Sequence, residues 1–85
     1  MQVVLSVLDT KADLFAPPFL ANTVEEAKRM MRDAARDPNS LLSRYPGDFV
    51  LVHIGSFDSR GGMMLQPLSS FSDGVRIGSV AEFLE

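Results

Sequence analysis

The stretch that decides the fold is Thr23–Asp37, TVEEAKRMMRDAARD. Thr23 can accept a hydrogen bond from the N–H of Glu26, and Glu26 can reach back to the N–H of Thr23, which is the capping box that begins many helices. Pro38 follows directly and pushes the residue before it out of the helical region. We therefore predict an α-helix over residues 24–37.

Three faces separate on this predicted helix when successive residues are placed about 100° apart. The acidic residues Glu26, Asp33 and Asp37 share one face. Half of the chain's eight lysines and arginines share another, called the basic face below: Lys28, Arg29, Arg32 and Arg36. The apolar residues form a broad arc that we expect to pack on a sheet: Val24, Ala27, Met30, Met31, Ala34 and Ala35.

The basic face has two interpretations. In the first, it is a solvated, salt-paired surface, with Glu25 pairing with Lys28 or Arg29, and Asp33 pairing with Arg29 and Arg36. Each such pair stabilises a helix by only about 0.2–0.5 kcal/mol. In the second, cations at one-turn spacing bind a phosphate backbone through guanidinium groups. The residues alone favour the first interpretation, but this face is still the best binding candidate in the sequence.

Two apolar segments predict strands. Val3–Leu8 is short, β-branched and apolar on both faces, which indicates a central strand. Asp48–Phe57 predicts a second strand, in which Val50, Val52 and Ile54 point to one side. The other side receives Phe49, Leu51, His53 and Phe57.

The segment between the first strand and the helix, residues 9–22, contains Pro17-Pro18. These prolines forbid a helix or a central strand and impose an extended path through Ala16. Phe15 and Phe19 flank the prolines, and they form either lids on the core or a stacking surface. We favour a lid for at least one of the two rings.

The stretch IGSFDSRGG, residues 54–62, is predicted to form a hairpin tip leading into a strand over residues 63–66. It lacks the Gly-Lys-Ser/Thr ending of a phosphate-binding loop and the alternating acidic residues of a calcium loop. Arg60 at the tip and Phe57 at its base offer a secondary contact for a phosphate and a base.

Shorter elements complete the predicted order. Pro67 ends or borders the second hairpin strand, and Ser79–Glu82 repeats the capping-box pattern of a terminal helical turn. The remaining predictions are one helical turn at residues 41–45, a loop at residues 69–74 and a strand at residues 75–77. This order indicates an α+β fold: a small, mostly antiparallel sheet of three to four strands with one main helix packed on one face.

Composition narrows the class of protein. The 85 residues form one domain, 1–85, and contain no cysteine, so we expect neither disulfides nor a metal or other cofactor. The net charge of −3 argues against a polycation that coats duplex DNA. We expect no signal peptide, no membrane association and a cytosolic location. His53 has no accompanying nucleophile motif, so we expect no enzymatic activity.

Several segments occur here in a particular order: Asp9-Thr10-Lys11, Pro17-Pro18-Phe19, residues 37–40 (DPNS), residues 46–49 (PGDF) and residues 54–58 (IGSFD). Over residues 5–62 the chain thereby resembles the small non-structural protein of gokushoviruses, which are single-stranded DNA phages of the microvirus group. Proteins of that family are usually described as DNA-binding and lie outside the capsid shell. The resemblance implies a role in genome synthesis or packaging in the cytoplasm of the infected bacterial host.

With that resemblance, the second interpretation of the basic face gains weight. Binders of single-stranded DNA combine a basic track with aromatic platforms, on which each stacked base contributes about 1–3 kcal/mol. The expected track is Lys11, Lys28, Arg29, Arg32, Arg36 and Arg60, and the expected platforms are Phe19, Tyr45 and Phe57. We also expect a homo-oligomer, favouring a dimer, which would double the track.

The net negative charge of the chain leaves an alternative function open. The protein would then be an interaction module that binds a phage or host protein through Met63-Met64 and the Phe-Pro-Pro-Phe region, since methionine adapts to varied surfaces.

Overall fold

The computed structural model describes residues 1–65 and 76–84. Within these residues the chain forms six strands, three α-helices and one 3-10 turn. In chain order they are β1 (Gln2–Asp9), β2 (Leu14–Phe15), β3 (Phe19–Ala21), α1 (Val24–Ala35), α2 (Leu41–Arg44), the 3-10 turn (Pro46–Asp48), β4 (Phe49–Asp58), β5 (Gly62–Leu65), β6 (Arg76–Ser79) and α3 (Val80–Phe83).

The sheet is built around two long strands. β1 and β4 pair antiparallel over their whole length, from Gln2 opposite Phe57 to Asp9 opposite Phe49. β2 and β3 each pair with one part of β1, and β5 and β6 each pair with one part of β4. All five pairings are antiparallel. The sheet therefore has β1 and β4 at its centre, with two short strands along the outer side of each.

The strand number differs from the prediction of three to four, because residues 9–22 contribute two short strands. Pro17-Pro18 lies between β2 and β3, where a residue without an N–H interrupts the edge of the sheet. The predicted extended path through Ala16 is confirmed. Its N–H donates to the Val7 carbonyl at 2.8 Å, and its carbonyl accepts from the Ser6 hydroxyl at 2.7 Å.

A bulge in β4 corrects the predicted position of Phe57. Leu5 lies opposite His53, whereas Val4 lies opposite Gly55, so residue 54 is an extra residue on β4. An extra residue exchanges the two faces for everything after it. Phe57, opposite Gln2, therefore shares the face of Val50 and not, as predicted, that of residue 51. The shared face of Val50, Val52 and Ile54 is confirmed by their common apolar cluster.

The main core lies between the sheet and the helices. Leu5 and Leu51 are fully buried against Ala27 and Met31 of α1. Residues from the other two helices pack on the same cluster, so three helices share the face that we assigned to one. The partly buried residues of this cluster include Phe19, which confirms the lid for that ring: Val3, Val7, Phe19, Leu42, Ile77 and Phe83.

Helix α1 begins at the predicted residue, Val24, but forms only one of the two hydrogen bonds of the predicted capping box, and it ends two residues early. The Thr23 hydroxyl accepts from the N–H of Glu26 at 3.0 Å, while the Glu26 carboxylate accepts from the Asn22 side chain at 3.2 Å. At the other end, the N–H of residue 36 bonds to the carbonyl of residue 33 at 3.2 Å, a tighter 3-10 pattern that closes the helix. Met30, predicted in the packed arc, is 39% exposed.

The predicted capping box at Ser79 is confirmed. The Ser79 hydroxyl accepts from the N–H of Glu82, and the Glu82 carboxylate accepts from the N–H of Ser79 and from Arg76. The hydrogen bonds with Ser79, followed by the positive charge of Arg76, lower the pKa of Glu82 below its ordinary value of 4.5. The predicted helical turn at residues 41–45 and the strand before residue 79 are present. Pro67, the loop at residues 69–74 and Val75 lie outside the described residues.

Candidate nucleic-acid interface

The basic face lies beside the residues that anchor α1, roughly 115° around the helix axis from them at about 100° per residue. Ala27, Met31 and Ala35 are buried, and their packing fixes the rotation of the helix about its axis. This rotation leaves Arg29, Arg32 and Arg36 exposed, while the side chain of Lys28 is 32% exposed. The four cations are therefore presented to solvent by a helix that the core holds in place.

Two members of the basic face form the ion pairs that were predicted. Lys28 Nζ lies 3.2 Å from a carboxylate oxygen of Glu25, and Arg36 Nη1 lies 3.4 Å from one of Asp33. Both pairs join residues three apart on an exposed surface, where the net stabilisation is a few tenths of a kcal/mol. A phosphate can therefore replace either carboxylate at little energetic cost.

Arg29 and Arg32 differ from these two, because neither side chain forms an ion pair with any residue in 1–65 or 76–84. The predicted pair between Arg29 and Asp33 is replaced by the pair of Asp33 with Arg36. Arg29 and Arg32 line a shallow depression at the first turns of α1, together with Thr23, Glu25 and Glu26. Their guanidinium groups are the members of the basic face without a carboxylate partner in the described residues, while the carboxylates of Glu25 and Glu26 line the same depression and oppose the binding of an anion there.

Lys11 and Tyr45 lie close together beside the start of β4. They line an open depression of about 350 Å³ with Asp9, Asp48 and Phe49, and with Leu41 at its rim. Tyr45 is 55% exposed, and an exposed aromatic ring is the kind of side chain on which a base can stack. The carboxylates of Asp9 and Asp48 oppose the binding of a phosphate at Lys11.

Arg60 occupies the tip of the β4–β5 hairpin, as predicted, where the Asp58 carboxylate accepts its backbone N–H at 3.0 Å. Phe57 is half-buried at the base of this hairpin. A strand rises about 3.3 Å per residue, so the ten residues of β4 place Arg60 roughly 30 Å from the depression of Lys11 and Tyr45.

The nine predicted binding residues thus fall into separate groups. Phe19 is packed on the core, Lys11 and Tyr45 lie at one end of β4, and Phe57 and Arg60 lie at the other. The four residues of the basic face form one continuous surface, which is the part of the predicted site that α1 assembles by itself.

An apolar depression of about 390 Å³ between β2 and α2 was not predicted from the sequence. Its walls include Val7, Leu14, Leu42 and Phe49. The signal in the sequence was Leu14, an aliphatic residue next to Phe15 in the segment of residues 9–22. Reasoning from residue types also missed Leu65, which lies exposed beside the two methionines of β5.

His53 is half-buried, and its Nε2 atom lies 2.8 Å from the Gly55 carbonyl across the bulge. Among the described residues, no group of three or more histidine or acidic side chains has the arrangement of a metal site. No helix in the same residues is long and apolar enough to cross a membrane.

A family model described as "Phage ORF5 protein" matches residues 2–83, which is nearly the whole chain. Searches of curated proteins and of solved structures found no match to the sequence.

Proposed function

The chain belongs to the phage ORF5 protein family, and we propose that it is a non-catalytic protein that binds single-stranded DNA without strong sequence preference. The observation that carries this proposal is the basic face, where two exposed arginines without carboxylate partners in the described residues lie between two weakly paired cations. As the resemblance to the gokushovirus protein implies, it would act in genome replication or packaging in the cytoplasm of the infected bacterium.

The arrangement favours a single strand over a duplex. One helix face with four cations, on a chain of net charge −3, offers few contacts to the dense charge of a duplex. A flexible single strand can follow the basic face and expose its bases to aromatic rings elsewhere on the surface. Tyr45 is the most accessible of the three proposed platforms, and Lys11 and Arg60 are contacts that a longer strand would reach. A homo-oligomer, with a dimer favoured, would double the number of cations.

Fluorescence anisotropy of a labelled single-stranded oligonucleotide, with the matching duplex in parallel, tests this proposal. Replacing Arg29, Arg32 and Arg36 together by alanine is expected to weaken single-strand binding at least about a hundredfold, because three phosphate contacts are lost. Arg44→Ala is the matched control, since Arg44 is an exposed arginine on α2, outside the basic face. Unchanged affinity in a folded triple variant would refute the site, and no binding by the wild type at low salt would refute the function.

A second candidate function is supported by β5. Met63, Met64 and Leu65 are consecutive and 49%, 77% and 58% exposed, which is typical of an adaptable protein-binding surface. On this account the protein is an interaction module for a phage or host protein. Salt separates the two functions, because phosphate contacts weaken steeply as salt rises and an apolar interface does not.

A further inference from the structure

The two outer edges of the sheet differ in the residues that prevent pairing with another strand. Along β1, the edge is interrupted by Pro17-Pro18, which lack N–H groups, and it lies next to the charged residues Lys11 and Asp13. Prolines and charges of this kind prevent one sheet edge from pairing with another. β5 has neither within it: the stretch Gly62–Leu65 contains no proline and no charged residue, and the nearest ones in sequence are Arg60 before it and Pro67 after it.

The exposed residues of β5 lie on both faces of the strand. Successive side chains alternate between faces, so Met63 and Leu65 point one way and Met64 the other, yet all three are about half exposed or more. A helix or loop that docks on one face covers only one of these sets. An added strand brings cross-strand neighbours to both faces at once.

β5 is also held firmly in place. It forms four register pairs with β4, from Gly55 opposite Leu65 to Asp58 opposite Gly62. At Gly55 there is no room for a side chain, because a Cβ would collide with the Met64 carbonyl oxygen and approach the backbone of Leu65. Gly62 has a φ of +88°, which suits the turn that starts the strand. Among the described strands β5 pairs with β4 alone, so within this part of the chain it presents a preformed template for strand pairing.

We infer that β5 pairs antiparallel with β5 of a second copy of this chain, giving a dimer with one sheet continuous through both copies. A two-fold axis perpendicular to the sheet sets one residue opposite its own copy, which here is Met63 or Met64. The neutral stretch allows two chains of net charge −3 to meet without opposing like charges. Four residues are a short interface, so we expect a dissociation constant in the micromolar range.

This inference identifies the surface of the proposed homo-oligomer and does not depend on DNA binding. Sedimentation velocity without DNA, over about 5–500 μM protein, tests it. Met64→Lys is expected to raise the dissociation constant about tenfold or more, because it adds like charges near the axis. Leu14→Lys is the matched control at an exposed residue of the opposite edge and leaves the dimer unchanged. A wild-type monomer throughout this range would overturn the inference.

A cross-linking experiment supports the same conclusion even if Met64→Lys fails to fold. The chain has no cysteine, so Met63→Cys and Met64→Cys each introduce a single thiol. The variant whose residue lies on the axis forms a disulfide-linked dimer under mild oxidation, because directly opposed Cβ atoms lie within disulfide reach. Leu14→Cys does not. Cross-linking no faster at residues 63 and 64 than at residue 14 would overturn the inference.

Discussion

The basic face of α1 and the exposed edge of β5 are two surfaces of different chemistry. The first presents charges from a helix that is held in place by its buried residues, and its ion pairs are weak and easily replaced. The second presents apolar side chains and an edge strand fixed to β4. β1 and β4 lie between β3, which α1 contacts, and β5. Binding at one surface therefore leaves the other open, and each can be altered separately.

Salt is expected to produce the largest difference between the two surfaces. The slope of log affinity against log salt for a single strand is about −0.7 per phosphate neutralised, so four cations predict a slope near −3. A tenfold rise in salt then weakens DNA binding several hundredfold, as measured by anisotropy. The β5 dimer is expected to keep its affinity or gain slightly, because an apolar contact is not screened. Equal salt slopes for both processes would contradict the separation.

Gly55→Ala is expected to damage the β5 surface and spare the basic face. The added Cβ meets backbone of β5, which cannot move aside as a side chain can. We expect a loss of about 2 kcal/mol in the free energy of unfolding and a loss of dimer, with single-strand affinity per chain retained at temperatures where the variant is folded. Urea unfolding, sedimentation and anisotropy measure the three effects.

Gly47→Ala is the control for that substitution, since nothing lies within 4 Å of the position its Cβ would occupy. Its stability and self-association should match those of the wild type. A similar loss in both glycine variants would mean that the close packing at residue 55 is not the cause.

A smaller effect on DNA binding is expected when an acidic residue next to the basic face is neutralised. Asp33→Asn removes the carboxylate paired with Arg36 and one negative charge beside the other cations. Because an exposed pair of this kind is weak, we expect stability to change little and single-strand affinity at low salt to rise about twofold. The same substitution should leave the β5 dimer unchanged. Weaker DNA binding by this variant would show that Asp33 orders Arg36 for the contact.

The smallest predicted effect concerns neither surface. It is the contribution of Glu82 to the stability of the fold as pH falls. Glu82 has a lowered pKa in the folded chain, so its contribution is present above its ordinary pKa and is lost as pH falls through the folded value. The difference in thermal stability between the wild type and Glu82→Gln should therefore be largest near neutral pH and shrink below about pH 4.5. A difference that grows on acidification would contradict this assignment.

Local signals predicted the parts of this fold that depend on neighbours in sequence. The helix caps at Thr23 and Ser79, the hairpin before β5 and the two ion pairs of α1 all follow from residue types at short spacing. The bulge at residue 54 could not be predicted this way, because the alternating pattern continues through it and the register is set by β1. β2 and β3 were missed because their residues pair with β1 and not with each other.

In the candidate site, too, only the features that depend on neighbours in sequence could be predicted. Four cations on one helix are brought together by the helix period alone, so the basic face was predictable. Whether Lys11 and Tyr45 meet, and whether Arg60 lies near them, depends on strand order and on the length of β4. The burial of Phe19 likewise depends on residues distant in sequence.

The most direct test of the account is a titration of ¹⁵N-labelled protein with a short single-stranded oligonucleotide, followed by amide chemical shifts. We expect shifts concentrated at residues 28–36 of α1, with the amides of residues 62–65 unmoved at constant protein concentration. The triple arginine variant should lose these shifts while keeping a folded spectrum. Shifts concentrated on β5, or no shifts at low salt, would contradict the central claim that the basic face binds single-stranded DNA.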